Sequence, residues 1–82
     1  MPEIRVRIAS PVGLHARPAA RFVKAAARHA DPVSIGRPGA EPVDARSMLS
    51  VLGLGILHGE EVVLTGAQDA LEELSTLLSE VE

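Results

Sequence analysis

The amino-acid sequence predicts an α+β domain, an open-faced β-sandwich in which a four-stranded antiparallel sheet is covered on one face by three helices. Two observations lead to this prediction. Hydrophobic periodicity changes along the chain in the order strand, helix, strand, strand, helix, strand, helix. The 82 residues also leave too little chain for parallel crossover connections, so an antiparallel sheet with helices on one face is favoured. We therefore treat residues 1–82 as a single domain.

The first strand is predicted over residues 3–8, where charged and apolar side chains alternate. Such alternation places the apolar residues on one face of a sheet and leaves the other face to solvent. The apolar set is Ile4, Val6 and Ile8. Residues 9–13 contain Ser10, Pro11 and Gly13, which interrupt the strand and form a loop.

The first helix is predicted over residues 16–30. Its apolar positions recur with the spacing of a helix that buries one face, and they are Ala19, Phe22, Val23, Ala26 and Ala30. Pro18 fits only in the first turn, because an interior proline loses a hydrogen bond and clashes with the preceding turn. The helix must therefore begin at about His15 or Ala16.

The middle of the chain predicts two strands joined by a turn, and then a short helix. Residues 33–36 alternate as a second strand, and the Arg-Pro-Gly-Ala segment 37–40 forms the turn. Residues 41–46 form a short third strand, which lies at an edge of the sheet because it contains a proline. Ser47 is a good N-cap for a helix over residues 48–53.

Two elements complete the predicted fold. After a bent, glycine-rich connection, residues 60–65 form a heavily buried apolar strand. Residues 68–81 form an amphipathic helix. Its inward-facing residues are Leu71, Leu74, Leu77, Leu78 and Val81.

Composition limits the classes of function. The chain has no cysteine, so neither disulfides nor a thiolate metal site are available, and its three isolated histidines lack the spacing of metal ligands. No metal or cofactor is therefore predicted. Phe22 is the single aromatic residue, which argues against a base-stacking nucleic-acid surface. Without a signal-like N-terminus or an apolar run of roughly 20 residues, the sequence predicts a soluble, cytoplasmic protein without membrane insertion, and a monomer.

Charge is distributed unevenly along the chain. Residues 1–46 hold all eight basic side chains and four acids, a net charge of +4, whereas residues 47–82 hold seven acids and no Lys or Arg, a net charge of −7. A positive segment around one helix can attract an anionic partner or substrate. Ordinary solvated faces explain most of these charges equally well.

The segment Gly13-Leu14-His15-Ala16-Arg17-Pro18 combines the groups that phosphoryl transfer needs. The first amides of a helix, here those of Ala16 and Arg17, lack internal partners and favour an anion such as phosphate. The imidazole of His15 supplies an attacking nitrogen, and the guanidinium of Arg17 can donate charge-assisted hydrogen bonds to the same phosphate. A cap or an ordinary surface residue is the alternative explanation for a histidine at a helix start.

Two segments carry a family resemblance. Gly13 to Ala19, Gly-Leu-His-Ala-Arg-Pro-Ala, looks like the active-site motif of the HPr phosphocarrier family of the phosphoenolpyruvate-dependent sugar phosphotransferase system. Ser47 to Ile56, Ser-Met-Leu-Ser-Val-Leu-Gly-Leu-Gly-Ile, resembles the other characteristic segment of that family. The two occur in the right order and separation, and the resemblance covers essentially the whole chain. It implies the same HPr-like sandwich that the periodicity predicts.

The resemblance also implies an activity. His15 would accept a phosphoryl group on Nδ1 from phosphorylated enzyme I, with Arg17 beside it, and pass the group to a histidine of a sugar-specific IIA domain. Three alternatives remain open: a paralogous carrier of a nitrogen-related or dihydroxyacetone pathway, a regulatory binding module without phosphotransfer, and an anion-binding domain without covalent chemistry. The residues around His15 do not separate the carrier branches.

A docking surface is predicted beside His15. A helix as short as the second cannot bury all of its apolar residues, and exposed apolar surface often marks a partner site. Val51 and Leu54 are assigned to the core. The predicted contacts are Met48, Leu49 and Leu52, with Ala20, Arg21 and Lys24 on the first helix as a polar rim.

Ser47 corresponds to a serine that is phosphorylated for regulation in some members of the family. A phosphate there would place a dianion within the docking surface, and a serine kinase or a transcriptional regulator would then be a further partner. Helix capping alone also explains Ser47. His29, at the end of the first helix, and His58, in the glycine-rich connection, are not expected to be catalytic.

Overall fold

The computed structural model describes residues 2–80, and the elements follow the predicted order. They are β1 Glu3–Arg7, α1 Ala16–Ala27, β2 Ser34–Gly36, β3 Val43–Asp44, α2 Met48–Gly53, β4 Glu61–Thr65 and α3 Gln68–Ser79. The four strands form one sheet in the order β1-β4-β2-β3, and each neighbouring pair is antiparallel. The predicted α+β class and the antiparallel sheet are confirmed.

The sheet buries one face through the alternation of its side chains. In the central strand β4, Val62 and Leu64 are fully buried, whereas their neighbours are partly exposed. Leu64 lies opposite Ile4 of β1 and Ile35 of β2, which makes an apolar row across three strands. Cross-strand pairs of this kind specify the register, because a shift of one residue would turn the row toward solvent.

All three helices contribute to the core on that face. Phe22 of α1, Val51 of α2 and Leu74 of α3 have no exposed surface. Burying a large apolar side chain stabilises the fold by about 1.5–3 kcal/mol, so these contacts fix each helix against the sheet. The position of α1 against the core determines where the side chain of His15 emerges.

Helix α1 ends earlier than the periodicity predicts. It stops at Ala27, and Arg28 is its C-cap, whereas the prediction extended to residue 30. The amides of Arg28 and His29 donate to carbonyls three residues back, at 3.1 and 3.2 Å, so the last turn tightens and the helix closes. Ala30 is therefore exposed, and its assignment to the buried face is wrong. Val23 on that face is partly exposed.

The strands are shorter than predicted. Strand β3 is limited to two residues, Val43–Asp44, instead of residues 41–46, because Pro42 has no amide for the ladder. Strand β2 begins at Ser34, one residue late, and β4 at Glu61, also one residue late. Strand β1 ends at Arg7 rather than at residue 8.

Helix α3 ends at Ser79, before the predicted residue 81. Leu71, Leu74 and Leu78 are buried as predicted, whereas Leu77 is only partly buried. Val81 lies outside the described residues. Within residues 2–80, no helix has the length and apolar character needed to cross a membrane, and no cluster of His, Cys, Asp or Glu could hold a metal ion.

Candidate active site at the start of the first helix

The loop before α1 is held against the connection between α2 and β4. The amide of Gly13 donates to the Ser10 carbonyl at 3.0 Å, and the amide of Leu14 donates to the Ile56 carbonyl at 3.0 Å. Gly13 has a φ of 73°, and a Cβ there would lie 2.5 Å from the Ile56 oxygen. The backbone immediately before His15 is therefore fixed by a close contact that only glycine permits.

His15 occupies the N-cap position of α1, at the end where the proline argument placed it. Its backbone is extended, with φ −142° and ψ 162°, and its side chain is exposed. An N-cap side chain usually accepts a hydrogen bond from an early helix amide. The His15 side chain makes no such bond, so the imidazole is accessible and is not committed to capping the helix.

Ala16 turns the chain from the extended His15 into the helix. Its φ is 49°, and among residues 2–80 it is the one non-glycine residue with a positive φ. This conformation costs about 1–2 kcal/mol for a residue that has a Cβ. The strain falls directly beside the candidate nucleophile, as is common at functional sites.

Arg17 is exposed beside this turn. Within residues 2–80, no hydrogen bond or ion pair engages its side chain, so the guanidinium can turn toward an anion on His15 without first breaking another contact. A groove of about 370 Å³ lies along the same edge. Its lining residues are Ser10, Pro11, Val12, Ala16, Arg17 and Pro18.

The predicted docking residues lie on two helices that pack against each other, α1 and α2. Ala20, Arg21 and Lys24 are exposed on α1. Leu49 on α2 is 85% exposed, which agrees with its assignment to the docking surface. This is the most exposed large apolar side chain among the described residues.

The other α2 residues divide between surface and core less sharply. Met48 and Leu52 are partly exposed and also pack against the core. Val51 is fully buried as expected, whereas Leu54, also assigned to the core, is only partly buried. A six-residue helix has too few turns to separate the two faces completely.

Two further apolar residues, in loops, are exposed without being predicted from the sequence. Val12 is 59% exposed and Leu57 is 66% exposed. They lie on the two segments that meet at Gly13, where a Cβ would be 2.9 Å from the Leu57 Cα. Single apolar residues in loops are normal on protein surfaces, so nothing in the sequence singles them out. Their shared position next to the His15 loop depends on the tertiary contact.

Ser47 caps α2 as predicted. Its Oγ accepts a hydrogen bond from the Ser50 amide at 3.3 Å and donates to the Ser50 Oγ at 3.0 Å. Satisfying an early helix amide in this way stabilises a helix by about 1 kcal/mol. The capping role is therefore present whether or not Ser47 is also modified.

The other two histidines have different surroundings. Nε2 of His29 lies 2.6 Å from a Glu73 carboxylate oxygen, and Arg28 pairs with the same carboxylate. These contacts, first His29 and then Arg28, hold the pKa of Glu73 below its usual value. His29 thus ties the C-terminal end of α1 to α3, and the 12-residue helix, about 18 Å long, separates it from His15. His58 is exposed in the connection between α2 and β4.

Known proteins resemble this chain along nearly its whole length. A family model, PTS-HPr, described as the phosphorylation site of the HPr component of the phosphotransferase system, matches residues 2–80. The phosphocarrier protein HPr of Streptomyces coelicolor is 50% identical to this chain over an alignment 84 residues long. The alignment covers 98% of this chain and 90% of that protein. The crystal structure of phosphocarrier protein HPr from Bacillus anthracis aligns with a TM-score of 0.86 at 32% identity, covering 94% of this chain and 95% of that one.

Another relative shows a different assembly. The crystal structure of the catabolite-repression protein Crh from Bacillus subtilis aligns with a TM-score of 0.68 at 34% identity, covering 95% of this chain and 93% of that one. It is described as a dimer with a swapping domain. Proteins of this fold can therefore form dimers.

Proposed function

This chain belongs to the HPr family and is a phosphocarrier of the phosphotransferase system, and we propose that His15 is the residue that carries the phosphoryl group. The proposal is supported above all by the exposed imidazole at the start of α1, which no capping bond occupies. His29 is tied to Glu73 and lies at the opposite end of the helix. Only His15 is an exposed histidine at the N-terminus of one of the described helices.

The chemistry of the step follows from the groups around His15. Nδ1 attacks the phosphorus in line as the bond between the donor and phosphorus breaks, and that electron pair returns to the donor atom. The amides of Ala16 and Arg17 and the Arg17 guanidinium stabilise the charge on the equatorial oxygens. Transfer to an acceptor histidine reverses these roles, so the same site can accept and give.

The partners in this proposal are enzyme I as donor and a sugar-specific IIA domain as acceptor. Their docking surface comprises the six predicted residues Ala20, Arg21, Lys24, Met48, Leu49 and Leu52, to which we add Val12 and Leu57. The apolar members lie on α2, which packs against α1, and on the two segments that meet at Gly13. A partner seated there would exclude water from the transferring phosphoryl group.

Phosphorylation in a minimal mixture tests the function directly. The protein is incubated with phosphoenolpyruvate, magnesium and enzyme I, and its intact mass is measured. We expect one added phosphate that is lost in mild acid and stable in base, the behaviour of a phosphorus–nitrogen bond. No added phosphate, with an enzyme I that phosphorylates a control carrier, would contradict the proposal in favour of a regulatory or anion-binding module. Faster phosphorylation by the enzyme I of a nitrogen-related or dihydroxyacetone system would identify a paralogous carrier.

Arg17→Ala is expected to slow phosphoryl transfer to His15 by about 20-fold, since hydrogen bonds to charged groups contribute roughly 1.5–3 kcal/mol. The fold should remain intact, because the side chain is exposed and without a partner among the described residues. Rapid-quench measurement of the transfer rate checks the effect. Arg17→Lys keeps the positive charge but lacks the planar guanidinium, so its transfer rate should lie between those of wild type and Arg17→Ala. Equal rates for all three proteins would contradict the assigned role.

Leu49→Glu is expected to raise the dissociation constant for enzyme I about tenfold, because a charge replaces the most exposed large apolar side chain of the proposed surface. The melting temperature should stay within about 2 °C of wild type, since Leu49 is 85% exposed. Calorimetric titration and thermal denaturation check the two values. Leu52→Glu is the comparison: it should weaken binding and also lower stability, because Leu52 packs against the core. Unchanged affinity of the Leu49 variant would remove α2 from the docking surface.

Three finer points belong to the same proposal. We propose a cytoplasmic location, because the pathway starts from phosphoenolpyruvate, an intracellular metabolite. We propose a monomer, in which β1 pairs with β4 of its own chain along its whole length. We also propose regulation by a serine kinase at Ser47, which is supported by the position of this partly exposed residue directly before Met48 of the docking surface, where a phosphate would repel partners without removing the fold.

A further inference from the structure

The side chain of Arg37 joins two parts of the molecule that are far apart in sequence. Its Nε donates to Oε1 of Glu60 at 2.8 Å, and its Nη2 donates to Oε2 of Glu60 at 3.1 Å. The same guanidinium donates to the Leu54 carbonyl at 2.7 Å and to the Gly55 carbonyl at 3.2 Å. We call these four hydrogen bonds the Arg37 clamp. A planar guanidinium suits this geometry, because a lysine ammonium could not reach all four oxygens.

One end of the Arg37 clamp is fixed to the sheet. Arg37 directly follows β2 and begins a turn in which the Ala40 amide donates to the Arg37 carbonyl at 3.0 Å. Gly39 has a φ of 78°, as the third position of a type II turn requires, and proline precedes it. The backbone that carries the Arg37 side chain therefore has little freedom to move.

The other end of the clamp is the connection between α2 and β4, residues 54–60. Glu60 pairs with Arg37 and also accepts a hydrogen bond from the Leu57 amide at 2.7 Å. The side-chain bonds from Arg37, followed by the Leu57 amide, hold the pKa of Glu60 below its usual value, so the carboxylate stays ionised at neutral pH. The clamp thus binds the connection at Leu54 and Gly55 and, through Glu60, at Leu57.

Between these anchored points lies Ile56, whose carbonyl accepts the Leu14 amide at 3.0 Å. Gly13 packs against the same carbonyl. Leu14 is 2% exposed and immediately precedes His15. Arg37 therefore contacts the connection at residues 54–60, and the connection contacts Leu14, the residue before His15.

We propose that Arg37 is a positioning residue for phosphoryl transfer, which holds the connection at residues 54–60 so that the Ile56 carbonyl fixes the loop before His15. The inference rests on the proposed function of His15 and extends it to a residue outside the motif. Arg37 touches neither His15 nor Leu14 among its described contacts and acts through the backbone of the connection. Displacements of about 1 Å at a reacting group can slow a reaction up to about 100-fold, so a loosened loop has a measurable consequence.

The test compares Arg37→Ala with Arg5→Ala. Arg5 is a matched control, because its side chain also forms an ion pair across the sheet, with Glu61 at 3.1 Å, and makes no contact with residues 54–60. Two quantities are measured for each protein: the rate of phosphoryl transfer from enzyme I at saturating donor, and the hydrogen exchange of the Leu14 amide by NMR. Melting temperatures record the general loss of stability in each variant.

For Arg37→Ala we expect the transfer rate to fall about fivefold at saturation and the Leu14 amide to exchange about tenfold faster. Arg5→Ala should leave both values unchanged. Arg37→Lys should restore part of each effect, since an ammonium can still pair with Glu60. A solely structural role would lower the melting temperature without a selective change at Leu14.

Two outcomes would overturn the inference. One is that Arg37→Ala and Arg5→Ala both transfer the phosphoryl group at the wild-type rate. The other is a Leu14 amide that exchanges at the wild-type rate in Arg37→Ala. That result would show that Arg37 does not hold the loop before His15, whatever the transfer rate. Failure of the wild-type protein to accept phosphate would instead overturn the proposed function itself, so the two failures are distinguishable.

Discussion

His15→Ala is expected to accept no phosphate at all under conditions in which the wild-type protein gains one phosphate per chain. The variant loses the attacking nitrogen, and no neighbouring group can replace it, because Arg17 carries no nucleophile at neutral pH. Its fold should persist with a melting temperature within about 2 °C of wild type, since the His15 side chain is exposed and makes no capping bond. Intact-mass analysis and thermal denaturation measure the two effects.

His29→Ala and His58→Ala are the matched controls for that prediction. His58 is the more demanding one, because its backbone nitrogen would lie 3.2 Å from a Cβ at Gly13, close to the same loop. Both variants should accept one phosphate. His29→Ala should also be less stable, because the hydrogen bond from His29 to Glu73 is lost and only Arg28 still pairs with that carboxylate. Phosphate on His15→Ala, or its absence from His58→Ala, would show that the carrier residue is assigned wrongly.

Gly13→Ala is expected to lower the free energy of unfolding by about 3 kcal/mol and to slow phosphoryl transfer as well. A positive φ of 73° costs about 1–2 kcal/mol once a Cβ is present. The new Cβ would also meet the Ile56 oxygen at 2.5 Å and the Leu57 Cα at 2.9 Å. Both neighbours are backbone atoms, so the loop must move, and the Leu14 bond that positions His15 moves with it. Urea denaturation and the transfer rate check these effects.

Gly39→Ala separates the two contributions. Its φ of 78° is nearly the same as that of Gly13, but nothing lies within 4 Å of the position that a Cβ would take. We expect a loss of about 1 kcal/mol in the free energy of unfolding and a smaller decrease in transfer rate than for Gly13→Ala, because the change reaches His15 only through the turn that carries Arg37. An equal loss of stability in the two variants would mean that the contact with Ile56 contributes nothing beyond the backbone strain.

Most of the fold was predictable because its signals are local. The alternation in β1 and the spacing of Ala19, Phe22 and Ala26 determine a strand and a helix within a few residues of sequence. Element ends were less predictable. The early end of α1 at Ala27 depends on a tightened last turn, and the two-residue β3 depends on the position of Pro42 within an edge strand. Neither event changes the hydrophobic period, so neither leaves a signal in it.

The candidate site also has features that the sequence predicts and features that it does not. The sequence by itself determined that His15 lies at the start of a helix, since Pro18 tolerates no other register, and that Arg17 is next to it. It also identified Ser47 as a cap and Leu49 as exposed, because both follow from short-range rules.

Only the tertiary structure decided how that helix start is held. The approach of Gly13 to Ile56 and the Arg37 clamp both depend on segments about 20 to 40 residues apart meeting in space. Local propensity contains no information about such meetings, because the same glycine, alanine or arginine could lie in any exposed loop. The groups that carry out the chemistry are therefore close together in sequence, whereas the geometry of the site depends on contacts between residues that are distant in sequence.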